Sequence, residues 1–220
     1  MLKFYNTPHR KIETFQPIDP QNVKIYTCGP TVYAEPHIGN WAAFIYWDIL
    51  VRVMHANGYN VERTMNITDV GHLVSDEDNG EDKLEKGARR EGKTAWEVAN
   101  FYTEKFKQGM EDLNLITPDH LARATDFIQE QTDIINDLTI KGYTYETSDG
   151  IYFNTAKFPR YADFAKLDLK GLKSGARVNF NPEKKNISDF ALWKWSINEN
   201  GKKRDMEWKY RDRMGFPGWH

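Results

Sequence analysis

Cys28, Thr31, His37 and Asn40 fall within one run, Cys28-Gly29-Pro30-Thr31-Val32-Tyr33-Ala34-Glu35-Pro36-His37-Ile38-Gly39-Asn40. It brings a thiol, a hydroxyl, an imidazole and an amide together with two glycines. A thiolate can ligate a soft metal or act as a nucleophile. Imidazole and amide N–H groups donate hydrogen bonds to phosphate oxygens, and glycine lets a nucleotide approach the backbone closely. Taken singly, each residue has a plainer meaning. A histidine near a helix start is first a cap or a surface group, and a lone cysteine at a strand end is first a small buried hydrophobe. Their joint setting is what points to chemistry.

That setting is a crossover between strands. Val23-Lys24-Ile25-Tyr26-Thr27-Cys28 favours β structure and stops at Gly29-Pro30, so a strand ends at the cysteine. From Ile38 to Asn57 the residues Trp41, Phe44, Ile45, Trp47, Leu50, Val51 and Met54 cover nearly the whole circumference of a helix, which predicts burial between layers. Asn57-Gly58 closes it, and Tyr59 to Thr68 reads as a second strand. Such a unit is long enough for a parallel crossover, where ligands bind beyond the carboxyl ends of the strands and a helix start offers its free N–H groups to phosphate.

Ser75 to Lys93 is dominated by charge and reads as an exposed, partly helical excursion. Lys83, Lys86, Arg89 and Arg90 are interrupted by Glu81, Asp82, Glu85 and Glu91, the pattern of a solvated helix rather than an RNA-binding patch. Thr94 and Glu97 form a capping-box pair ahead of Ala95, Ala99, Tyr102, Phe106, Met110 and Leu113, which recur at helical spacing. Past Pro118 a helix carries Phe127, Ile128, Ile134, Ile135 and Leu138 to Gly142, and two strands then flank a hairpin turn expected at Asp149-Gly150. The change of pattern between about Leu115 and Asn200 suggests an inserted lobe. Trp193, Trp195 and Trp208 read as core rather than as a base-stacking platform.

Composition excludes more than it assigns. With 40% hydrophobic and 28% charged residues and a formal charge of -2, the chain has the composition of a globular protein and no global attraction to nucleic acid. A single cysteine rules out an internal disulfide and points to a reducing compartment, so a cytoplasmic protein is expected. No run of about 18 apolar residues is present to span a bilayer, and the opening Met-Leu-Lys-Phe-Tyr-Asn-Thr-Pro-His-Arg-Lys lacks the long apolar run expected of a signal peptide.

Cys-Gly-Pro-Thr-Val-Tyr at 28–33 followed by His-Ile-Gly-Asn at 37–40 resembles the cysteinyl-tRNA synthetase form of the class I synthetase signature. Further matching blocks are Asn66-Ile67-Thr68-Asp69-Val70, Ala122-Arg123-Ala124-Thr125, Gly175-Ala176-Arg177-Val178, Phe190-Ala191-Leu192-Trp193-Lys194 and Pro217-Gly218-Trp219-His220. They follow the family's order across essentially the whole chain. The resemblance implies an α/β fold, a Rossmann-like nucleotide-binding domain interrupted by a connective insertion. Residues 1–115 would be its first part, 116–200 the insertion and 201–220 the start of its second part. It also implies ATP-dependent activation of cysteine to cysteinyl-adenylate and transfer to tRNA(Cys) by a monomer, with Zn2+ and Mg2+-ATP as cofactors.

By the same resemblance, His37 and Asn40 would be catalytic and bind ATP phosphates with Gly39, and Gly29, Thr31, Thr68 and Trp219 would line the cysteine and adenylate pocket. Cys28 would be a zinc ligand. Zinc prefers sulfur and nitrogen and binds a substrate thiolate far better than a hydroxyl, which would select cysteine over serine. The family continues past Trp-His into Ile-Glu-Cys, further zinc ligands, a Lys-Met-Ser-Lys-Ser loop and an anticodon-binding region. A chain ending at His220 is therefore expected to be an N-terminal portion, inactive by itself. Asn40 stands for a second histidine of the wider signature, Gly71-His72 stands where relatives carry paired aspartates, and Phe216 stands where an arginine is common. His72 reads as solvated. Two rival readings are the cysteine ligase of mycothiol biosynthesis, disfavoured by Gly-Pro-Thr-Val-Tyr and Gly-Ala-Arg-Val, and a nucleotide- or RNA-binding module without catalysis.

Overall fold

The computed structural model describes residues 1–71, 83–167, 181–196 and 204–219. His72, the block Gly175 to Val178, and His220 lie outside them. The chain opens with an antiparallel hairpin, β1 (Lys3–Asn6) and β2 (Lys11–Thr14), which the sequence did not announce. It is anchored by aromatic edges: Phe4 meets Phe15 at 5.4 Å and Phe15 meets Tyr59 at 5.6 Å.

The expected crossover follows. β3 (Val23–Thr27), α1 (Ile38–Ala56) and β4 (Val61–Ile67) place the two strands parallel, with Val23 opposite Val61 and Thr27 opposite Met65. Along β4, Val61, Arg63, Met65 and Ile67 are buried while Glu62, Thr64 and Asn66 are half-buried. Met65 packs with Phe44 of α1 and with Phe106 and Met110 of the later helix α3 (Ala95–Asp112). The burial expected all round α1 is not found. Phe44, Asp48, Val51 and Met54 are buried, whereas Ile38, Tyr46 and Ile49 are exposed, because a single helix face is enough to cover β3 and β4. Buried Asp48 accepts from the Ile116 N–H at 2.7 Å and so ties α1 to the connection leaving α3.

The stretch before α3 also differs from expectation. Helix α2 (Lys83–Glu91) is not wholly exposed, since Leu84 and Ala88 enter the core with Val32, Val70 and Val98. Arg89 and Arg90 stay outside, and Arg90 pairs with Glu91 at 3.1 Å. α3 has the reciprocal cap expected: the Glu97 N–H donates to the Thr94 hydroxyl at 3.2 Å, and the Thr94 N–H donates to the Glu97 carboxylate at 2.8 Å. The Asp205 carboxylate also accepts from the Ala95 N–H at 2.9 Å. No helix among the described residues is long and apolar enough to cross a membrane.

β5 (His120–Arg123) then pairs parallel with β4, Ile67 opposite Arg123, so the parallel sheet β3-β4-β5 takes in residues past 115. After a short 3-10 turn come α4 (Ile128–Ile140), β6 (Thr144–Thr147), β7 (Gly150–Phe153), β8 (Phe190–Trp195), β9 (Trp208–Tyr210) and β10 (Arg213–Pro217). These strands form an antiparallel sheet ordered β6-β7-β8-β10-β9 over α4, around Ile135, Ile151, Trp193, Trp195 and Tyr210. Of the two strands from the 201–220 stretch, β10 pairs with β8 and β9 with β10, while Met206 and Phe216 from the same stretch sit in the core of the parallel unit. The hairpin turn is Ser148-Asp149, one residue earlier than expected, because Gly150 already pairs with Thr147.

Asp149 is kept out of solvent by a purpose other than turning. Its carboxylate accepts from Lys194, Thr147, Tyr152 and Asn181, joining the hairpin to β8 and the 181 segment. Burial pushes this carboxyl up, and the hydrogen bonds from Lys194 and Thr147 with the Lys194 charge outweigh it, leaving the group below its ordinary value. The contribution is therefore complete above about pH 4 and is lost as pH falls through the lowered folded value. Asp149→Ala, which strands the Lys194 ammonium, is expected to cost about 3–5 kcal/mol in urea unfolding at neutral pH. The difference from wild type should shrink in acid.

Candidate functional site

The carboxyl ends of β3 and β4 are stitched together beyond the strands themselves. Thr31 and Thr68 form a parallel bridge: the Thr68 N–H donates to the Pro30 carbonyl at 2.9 Å, and the Val32 N–H donates to the Thr68 carbonyl at 3.1 Å. Val32, almost fully buried, pins the loop into the core. Gly29 sits closest to β4. Its N–H donates to the Asn66 side-chain oxygen at 2.9 Å, and a Cβ there would lie 1.8 Å from the Asn66 carbonyl oxygen. Only glycine permits this approach.

The loop then turns into α1 through a second reciprocal cap. His37 is the N-cap residue: its Nδ1 accepts from the Gly39 N–H at 3.0 Å, and its own N–H donates to Asn40 Oδ1 at 3.1 Å. A Cβ on Gly39 would come within 2.9 Å of His37 Cε1, so glycine is what lets the ring fold back over the helix start. The cap fixes chemistry as well as geometry. With Nδ1 accepting, the neutral ring carries its proton on Nε2, and with Oδ1 accepting, the Asn40 NH2 faces away from the cap. Two side-chain donors are thus left beside the free N–H groups at the positive end of a 19-residue helix. Gly29, Pro30, Thr31, His37, Asn40 and Phe44 line one recess there.

The other candidates lie elsewhere. Thr68, the bridge partner of Thr31, is buried and does not line the recess, and Trp219 is outside it, its ring 5.0 Å from that of Phe190. Cys28 is exposed, with its sulfur 3.7 Å from the Gly29 carbonyl, so it is not the buried packing residue its strand-end position first suggested. For zinc the described residues offer Cys28 as one sulfur donor. No group of three or more His, Cys, Asp or Glu able to hold a metal gathers among them, so they do not by themselves make a zinc centre.

Asn66, Asp69, Arg123 and Thr125 have structural parts that no local sequence pattern signals. Asp69 is fully buried and accepts from Arg123 Nε at 2.8 Å, from the Thr125 hydroxyl at 2.6 Å and from the Thr125 N–H at 3.0 Å. Arg123 also donates to Asn100 at 2.8 Å. The block Ala122 to Thr125 therefore holds the end of β4. Phe216, where an arginine was common, is buried, and the Arg204 guanidinium lies 3.9 Å from its ring centroid, so the position is filled by packing and a cation over a π face.

The sequence pattern of the class I (C) tRNA synthetase catalytic domain matches residues 14–220. The chain belongs to that family. The cysteine–tRNA ligase 1 of Burkholderia lata is 48% identical to this synthetase chain over 219 residues, covering 100% of it and 46% of that protein. The cysteine–tRNA ligase of Treponema denticola is 40% identical over 219 residues, covering 100% and 44%. That of Zymomonas mobilis is 41% identical over 218 residues, covering 99% and 41%. The synthetase chain spans less than half the length of these curated relatives.

The approach of Gly29 to β4 gives a direct test of the stitched loop. Gly29→Ala must force the ends of β3 and β4 apart, and is expected to cost about 1–3 kcal/mol of stability in urea unfolding. Gly58, where a Cβ meets nothing within 4 Å, is not a suitable control because its φ is +83°. Ala34→Gly in the same loop, by contrast, should change stability by about 1 kcal/mol or less.

Proposed function

We propose that this chain supplies the nucleotide- and amino-acid-binding part of a cysteine–tRNA ligase, which joins cysteine to ATP as cysteinyl-adenylate and passes it to tRNA(Cys). The observation that carries the reading is the reciprocal His37–Asn40 cap, which leaves a side-chain donor on each of two residues that line the Gly29–Thr31 recess at a helix start of a class I synthetase domain. In the activation step a carboxylate oxygen of cysteine attacks the α-phosphorus of ATP, and the bond from that phosphorus to the bridging oxygen of pyrophosphate breaks. Charge gathers on the phosphate oxygens as this happens. Donors held in place beforehand lower the barrier without reorganising, which is the part assigned to His37 Nε2–H and the Asn40 amide, with Mg2+ accompanying the ATP.

The parallel unit is read as the first part of the nucleotide-binding domain and the antiparallel sheet as its connective insertion. Cys28 is read as one ligand of a zinc ion whose others come from beyond the described residues. Bound zinc would hold the substrate thiol as thiolate; every step above is assigned to the protein's own donors. Gly29 and Thr31 line the recess, with Thr68 paired to Thr31 and Trp219 against Phe190.

His37→Asn separates the two duties of the histidine, since asparagine is a good N-cap but lacks Nε2–H. In the full-length protein it should leave the thermal midpoint within a few degrees of wild type and lower cysteine-dependent ATP–pyrophosphate exchange about 10-fold or more. Unchanged exchange would remove His37 from the reaction. For the metal, Cys28→Ser should reduce bound zinc, measured by atomic emission, while with zinc removed by a chelator the variant and wild type should share one thermal midpoint, because the side chain is exposed. Full zinc content in that variant would remove Cys28 as a ligand.

A further inference from the structure

We infer that Trp41 and Gly109 are positioning residues: the Trp41 indole, seated on the side-chain gap that Gly109 leaves in α3, fixes the first turn of α1 and with it the His37 and Asn40 donors. Those two side chains meet ATP in the cysteine-activating reading above, on which this assignment rests. Gly109 is fully helical, its carbonyl accepting from the Leu113 N–H at 3.1 Å. Inside a helix glycine is destabilising relative to alanine, because it gives up more backbone freedom. Its φ lies outside the left-handed region, so the backbone does not require a glycine. The requirement comes from the neighbouring helix. A Cβ at 109 would lie 2.5 Å from both Cζ2 and Cη2 of the Trp41 ring.

The indole is held on its other sides as well. It stacks on Phe106, one turn earlier in α3, with centroids 5.5 Å apart and planes 18° apart, and it meets Phe44 edge-on at 5.6 Å. Phe106 is fully buried and Phe44 nearly so, which makes them fixed walls. From the ring the constraint reaches the site through the backbone. The Trp41 N–H donates to the His37 carbonyl at 3.1 Å and closes the first turn of α1 on its cap residue, and Asn40 immediately precedes Trp41. Phe44, against which the ring packs, lines the recess together with His37 and Asn40, whereas Trp41 is not among the residues that line it.

The reciprocal cap orients His37 and Asn40 against each other, but a cap closed within one turn does not set where that turn stands. The seat on α3 supplies the fixed point. Donors arranged beforehand around a phosphate lose much of their effect when shifted by about 1 Å, even by a change remote from the reacting atoms. Trp41 and Gly109 touch no substrate in this scheme and act through His37 and Asn40, so their loss falls on ATP and spares cysteine. A seat that served packing alone would change stability and treat both substrates alike.

The test measures ATP–pyrophosphate exchange by the full-length protein, with KM determined separately for ATP and for cysteine. Gly109→Ala puts a methyl group where the ring end lies, and is expected to raise the KM for ATP about 10-fold or more while the KM for cysteine stays within about 2-fold. Trp41→Phe removes the part of the ring that carries Cζ2 and Cη2, so combining it with Gly109→Ala makes room for the methyl group. The double variant is expected to return to within about 3-fold of the wild-type KM for ATP. Thermal midpoints check folding, and if Gly109→Ala does not fold, Trp41→Ala, which empties the seat, is judged by the same two constants. Equal rises in both KM values, an unchanged KM for ATP, or a double variant no better than Gly109→Ala would overturn the inference while leaving the ligase reading in place. Wild-type protein without cysteine-dependent exchange would overturn the ligase reading and this inference with it.

Discussion

The contact between Gly29 and Asn66 is the constraint on which the remainder of the site depends. Two parallel strands normally diverge once their ladder ends, since nothing holds the loops that follow. Here a glycine without a side chain lets the backbone after β3 lie directly on β4, and the Asn66 amide takes up its N–H. The loop is then committed to run alongside β4 as far as Val32, through the bridge between Thr31 and Thr68. Only after that commitment does it reach Pro36 and the helix cap. The donors of His37 and Asn40 are placed by a route that begins at Gly29.

The second half of the arrangement works from the far side of β4. Asp69, next to Thr68, is held by Arg123 and Thr125 from β5 and the turn after it, and Arg123 reaches on to Asn100 of α3. Val32, Ile67, Val70, Ala99, Met206 and Phe216 share one core cluster, so the loop, the end of β4, α3 and the chain returning from the antiparallel sheet meet in a single packed volume. A close-packed interior resists small displacements of any one wall. The recess is therefore shaped by elements distant from it in sequence.

How much of this could be read beforehand follows from how local each feature is. The β3, α1, β4 crossover was legible because its propensities, its Asn57-Gly58 stop and its periodicity all agree within forty-six residues. The Thr94–Glu97 cap was legible because it spans three residues. β5 was not, since His-Leu-Ala-Arg has no β-branched residue and is a strand only because β4 lies beside it. The β1–β2 hairpin was hidden for a related reason: Arg10, with φ of 51°, occupies a conformation that glycine or asparagine would have signalled. At the site, His37 read as either a cap or a phosphate donor, and its ring nitrogens allow both. Asn66 and Asp69 were silent because their partners come from 37 and 54 residues away.

Helix α3 has two caps of very different reach. One closes over three residues, between Thr94 and Glu97; the other closes over 110, between Ala95 and Asp205. Chain-closure entropy grows slowly with loop length, about 0.6 kcal/mol per doubling, but the time needed to find a distant partner grows with sequence separation. The short cap is thus available as soon as the helix nucleates, and the long one arrives when the antiparallel sheet docks. In hydrogen-exchange terms the first turn of α3 is expected to respond to the opening of either unit. The Glu97 amide would then report the helix itself, and the Ala95 amide the contact with the chain that leads into β9.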